Sequence, residues 1–65
     1  MPYVNFKLTP DGLTAEKKQV LISKVTALLA DELGKNPDTT IVIIDEVETD
    51  NWGIGGDSVT RRNQK

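Results

Sequence analysis

Pro2 is the first residue whose type and position could do chemistry. The 65-residue chain contains no histidine and no cysteine, so the usual general base and the usual nucleophile are missing. Base chemistry near neutral pH then falls to carboxylates, lysines or the chain terminus. A small residue after Met1 permits removal of the initiator methionine, which leaves Pro2 as a free secondary amine. An α-amino group titrates ordinarily at about 7.7–8.0, and partial burial lowers it towards the optimum for a base at pH 7. The ring holds that amine rigidly. A plain reading stays open beside this one, because many proteins begin Met-Pro and proline suits the first position of a strand.

The second stretch is "NWGIGGDSV", residues 51–59, which gathers three glycines and the single tryptophan. A glycine-rich loop can cradle phosphate where a strand precedes it and a helix N-terminus follows. Here only the polar "DSVTRRNQK" follows Gly56, too short and too polar for a packed phosphate-binding helix. A β-hairpin or sharply bent ribbon fits better, with glycines supplying positive φ and Trp52, Ile54 and Val59 supplying apolar contacts. Nothing else in so short a chain is left for that ribbon to cover, so it is expected against a neighbouring subunit. Trp52 then either fills an interface, where aromatics are enriched, or lines a ligand site.

Other charged clusters read more simply. "DEVETD", residues 45–50, lacks the glycine-bearing pattern of a calcium loop and reads as a charged strand end. Lys17 and Lys18 read as the exposed start of a helix.

These residues need elements to position them. In "PYVNFKL", residues 2–8, Val4, Phe6 and Leu8 alternate with Tyr3, Asn5 and Lys7, the period of a half-buried strand. "TPDG" at 9–12 supplies a turn. Thr14 can cap a helix over about 15–33, with Glu16 near its positive end. Leu21, Val25, Leu28 and Leu29 form its apolar stripe. Gly34 is the natural stop, and Pro37 prevents resumption. The β-branched run in "TTIVIIDEV", residues 39–47, suggests a strand covered on both faces, as in parallel sheets. The fold class is therefore α/β (or α+β): one βαβ unit with parallel strands plus a C-terminal β-hairpin, a single domain over 1–65.

Such a unit cannot enclose a core alone. A domain of this size buries only about 60% of the surface its unfolded chain exposes; disulfides are excluded without Cys, and the common metal staples are nearly excluded without His. Oligomerisation is the expected stabiliser. Net charge is −2 with no basic stripe outside "RRNQK", so no nucleic-acid partner is expected. No apolar run reaches membrane-spanning length, and the first residues lack signal-peptide character, so a cytoplasmic location is expected.

In order and spacing, the opening proline, the βαβ unit and W-G-I-G-G before a short tail resemble the 4-oxalocrotonate tautomerase (2-hydroxymuconate tautomerase) family of small-subunit type. The resemblance spans nearly the whole chain, from "PYVNFKL" through "LTAEKKQVLISKVTALLADELG" and "IVIIDEV" to "NWGIGG". It implies a cofactor-independent isomerase whose processed N-terminal proline, here Pro2, is the general base. That base moves a proton between the enol and keto forms of an unsaturated 2-hydroxy/2-oxo acid. It implies Trp52 as an apolar pocket wall, and a hairpin reaching onto another subunit within a homohexamer built as a trimer of dimers. Trp52, Ile54 and the backbone N–H of Thr9 are the candidate substrate contacts; no metal or cofactor is expected.

The sequence departs from the family where its best-known members carry two arginines for a dicarboxylate substrate. Alignment places Leu13 and Ile41 there. Preorganised donors for the developing enolate typically contribute several kcal/mol, so a substitute cation, a backbone N–H or a less charged substrate is required. Lys7, Arg61 and Arg62 are the available cations, each with solvated surface charge as its ordinary reading. The alternatives are a noncatalytic or partner subunit of a hetero-oligomer, which retention of Met1 would favour, and a related hydratase or dehalogenase with Pro2 as acid.

Overall fold

The computed structural model describes residues 1–64. Two parallel strands, β1 (Tyr3–Leu8) and β2 (Ile41–Glu46), flank the helix α1 (Ala15–Leu33). Their register runs from Tyr3 opposite Ile41 to Leu8 opposite Glu46. The alternation expected of β1 holds except at Asn5: Val4, Phe6 and Leu8 are half-buried and Tyr3 and Lys7 exposed, while Asn5 is half-buried with its side chain bonded to Asp45. The βαβ unit is therefore as the sequence describes it.

α1 begins and ends where its signals stand. The Thr14 side chain accepts from the Lys17 N–H at 3.1 Å, and Gly34 closes the helix at φ 65° with its N–H on the Ala30 carbonyl. One position of the expected stripe is corrected. Leu28 is exposed, and Ile22 joins Leu21, Val25 and Leu29 on the half-buried face. Both sets span about 100° of the helix surface at 100° per residue; the observed one is rotated by about 20° towards Ile22, which carries Leu28 off the edge of the face that meets the sheet.

The second strand is shorter than the run 39–47. Residues Pro37–Thr39 form a 3-10 turn, with the Asn36 side chain accepting from the Asp38 N–H at 2.9 Å. Proline fits the first position of such a turn because it has no N–H to leave unpaired. The outer face of β2 is not covered by the described residues: Ile41 and Ile43 are 40% and 41% exposed, beside Tyr3 at 61%.

After β2, Thr49–Asn51 makes a second 3-10 turn, and β3 (Gly53–Ile54) pairs antiparallel with β4 (Asp57–Ser58). Gly55 and Gly56 join them at φ 61° and 89°, the double positive φ that a two-residue hairpin loop of type I′ demands. The tail does form a helix, α2 (Val59–Asn63), capped by the Ser58 side chain. It is a single short turn packed on the second 3-10 turn, with the Thr49 and Thr60 hydroxyls bonded to each other.

The whole is elongated, 45 × 25 × 15 Å with a radius of gyration of 15.2 Å. A self-contained globular chain of this length would measure about 11 Å. Its accessible surface of 4951 Å² likewise exceeds the roughly 4,100 Å² of a folded monomer of this mass. No described residue is fully buried. Among the described residues no helix is long and apolar enough to cross a membrane.

Candidate active site

Pro2 stands at the open end of the sheet. Its carbonyl accepts from the Ile41 N–H at 3.0 Å, one step beyond the first ladder pair, and the ring is half-buried. The parallel start of both strands thus fixes where the proline sits. Met1 is 88% exposed and adds nothing to that placement.

Trp52 is held at the opposite end. Its indole N–H donates to the Val47 carbonyl at 2.8 Å, and the Val47 N–H donates to the Leu8 carbonyl at 2.8 Å. The Trp52 main-chain carbonyl accepts from the Val59 N–H at 2.8 Å, so the loop is tied to the sheet on one side and to α2 on the other. With its polar edge satisfied, the ring presents apolar surface. Ile54 follows on β3 and is about half exposed.

These positions decide which candidates can meet. Residues 41 to 47 run almost fully extended, so the Pro2 end and the Trp52 end lie roughly 20 Å apart at about 3.3 Å per residue. Thr9 follows the last residue of β1 and therefore shares the Trp52 end. The structure places Thr9 and Trp52 at the same end of the sheet and Pro2 of the same chain at the other. The described residues of one chain enclose no cavity. Leu13 lies half-buried in the turn before α1, and Ile41 stands beside Pro2 with its side chain on the outer sheet face.

The cations separate too. Lys7 pairs with Asp45 at 3.0 Å, and the Asn5 side chain donates to the same carboxylate oxygen at 2.9 Å. Asn5 and Lys7 together hold the Asp45 carboxyl below its ordinary value. Lys7 is thus engaged, five residues along β1 from Pro2. Lys18 corrects the expectation of a merely exposed helix start, because it forms an ion pair with Glu46 at the far end of β2. Lys17 is exposed as expected. The acids of residues 45–50 form no metal-binding group among the described residues. Arg61 and Arg62 are exposed on α2 and make no ion pair among the described residues.

Sequence reasoning missed Val47 and the Thr49–Thr60 pair. Val47 acts through a backbone carbonyl, which no residue type reveals. The threonine pair joins positions eleven apart that only the folded hairpin brings together.

A family model for tautomerase enzymes matches residues 2–62. The chain belongs to the tautomerase family. A probable tautomerase of Dickeya dadantii is 69% identical over 65 residues, covering 100% of this chain and 97% of that protein. The 2-hydroxymuconate tautomerase of Bacillus subtilis is 34% identical over 56 residues, 86% of this chain and 89% of that one. The crystal structure of DmpI from Helicobacter pylori superposes with a TM-score of 0.85 at 47% identity, over 92% of this chain and 98% of that one. As a tautomerase-family member the chain is an isomerase, and its βαβ unit with a short C-terminal hairpin is the family's fold.

Proposed function

We propose that this tautomerase-family chain catalyses cofactor-independent enol–keto conversion of an unsaturated 2-hydroxy/2-oxo acid, with Pro2 as general base once Met1 is removed. The free secondary amine accepts the proton of the enol hydroxyl. The same proton is returned to carbon, giving the 2-oxo form and regenerating the amine. Trp52 and Ile54 supply the apolar wall that excludes water and favours the neutral amine, and the Thr9 N–H lies on the same side as a donor to developing oxyanion charge.

The observation that carries this reading is the separation of Pro2 from Trp52 along one sheet, in a chain that leaves its outer sheet face uncovered. A second copy is needed both to cover Tyr3, Ile41 and Ile43 and to bring a Trp52 loop to a Pro2. A homohexamer, a trimer of dimers, meets both needs, and we place it in the cytoplasm. Leu13 and Ile41 favour a second reading, a partner subunit without chemistry of its own, because no cation stands at either position.

The test is ketonisation of an arylenolpyruvate by protein shown by intact mass to have lost Met1, with Pro2→Ala alongside. General-base removal costs about 10²–10⁴-fold, so a fall of at least about 100-fold with assembly intact supports the reading. Equal rates for the two proteins would overturn it in favour of the partner subunit.

A further inference from the structure

We propose that Arg62 is the cation that meets the substrate carboxylate, and that the substrate class is a 2-oxo or 2-hydroxy acid bound through one carboxylate. This rests on the reading above that the Trp52 loop lines the site.

Three observations single out Arg62. The first is placement. Its Nη1 lies 3.8 Å from the point a β-carbon on Gly55 would fill, so the guanidinium folds back over the Gly55–Gly56 turn. That turn is continuous with Trp52 and Ile54, which puts charge and apolar wall on one ribbon. Whichever subunit supplies Pro2, Arg62 arrives with Trp52.

The second is fixity. α2 is held by the Val59 N–H on the Trp52 carbonyl at 2.8 Å, by the Ser58 side chain accepting from the Arg61 N–H at 3.2 Å, and by the Thr49–Thr60 hydroxyl bond. A cation on such a base loses less freedom on binding than one on a loose tail.

The third is availability. Lys7 is paired with Asp45 and Lys18 with Glu46, whereas Arg62 has no ion pair among the described residues and keeps its fork of donors for a carboxylate. Arg61 is its neighbour in sequence, but successive helical residues diverge by about 100°, so one guanidinium, not two, lies over the turn. With one cation and apolar Leu13 and Ile41, a second carboxylate on the substrate gains nothing.

The test is equilibrium binding of phenylpyruvate and of 2-oxoadipate to the assembled wild-type protein, Arg62→Ala, Arg62→Lys and Arg61→Ala, by calorimetry. Arg62→Ala should weaken both probes by about tenfold or more, Arg62→Lys should recover part of the loss, Arg61→Ala should match the wild type, and 2-oxoadipate should bind no more tightly than phenylpyruvate. Equal affinity in Arg62→Ala and wild type, equal losses in Arg61→Ala and Arg62→Ala, or absence of binding to the wild type would each overturn the assignment. A clear preference for 2-oxoadipate would overturn the single-carboxylate class. Binding does not need the base, so failure here is distinct from an unchanged rate in Pro2→Ala.

Discussion

The indole N–H of Trp52 and the carbonyl of Val47 are joined at 2.8 Å, immediately beyond the point where the Val47 N–H closes onto Leu8. One peptide unit thus completes the sheet, and its neighbour anchors the Trp52 ring. The indole is therefore oriented by the register of β1 on β2 at its ring and by the hairpin and α2 at its main chain, where the Trp52 carbonyl accepts from the Val59 N–H.

Trp52→Phe tests the first of these. Phenylalanine keeps an apolar ring but removes the donor, and a net hydrogen bond contributes about 0.5–1.5 kcal/mol. Faster amide exchange is expected across residues 48–58, with α1 unchanged by exchange or circular dichroism.

Gly56→Ala probes the hairpin. No heavy atom outside its chain neighbours lies within 4 Å of a β-carbon there, but φ is 89°, so the cost is backbone strain of about 1–2 kcal/mol. The tryptophan near-ultraviolet signal should change while far-ultraviolet helix content stays constant.

Ile43→Lys tests the outer face. Ile43 is 41% exposed in the single chain, where a lysine would be harmless. If a second copy covers that face, a buried unpaired charge must be desolvated at a cost of several kcal/mol. Sedimentation at micromolar concentration should show the assembly lost to smaller species, whereas Lys17→Ala leaves it intact.

Asp45 sets an acid-side dependence. Asn5 and Lys7 lower its folded pKa, so its contribution to stability is fully present above the unfolded value of about 3.9 and is lost as pH falls through the folded one. Asn5→Leu removes the largest cause. The Asp45 carboxyl carbon, followed by NMR titration, should then move upward, and acid unfolding should begin at higher pH.

Much of this was legible in the residues. Thr14, Gly34 and the alternation in "PYVNFKL" carry local, short-range signals, and each element they mark is present. The hairpin was visible in Gly55 and Gly56 because only glycine accepts both positive φ values cheaply. What was not legible is long-range. That Lys7 finds Asp45, that Lys18 finds Glu46, and that Arg62 folds over Gly55 depend on strand register and hairpin closure, which residue type alone does not encode. The limits of β2 were overread because Thr39 and Thr40 favour strand by type, while Pro37 and the Asn36 side chain commit the preceding residues to a 3-10 turn.

The radius of gyration of 15.2 Å also bears on how such a chain comes into being. A newly synthesised copy can close its helix and pair its strands, but it has no interior in which to store the gain. In the assembly proposed above, most of its stabilisation would arrive on encounter with other copies, and its native population would rise with a power of its concentration. On that proposal, expression level is itself a folding parameter.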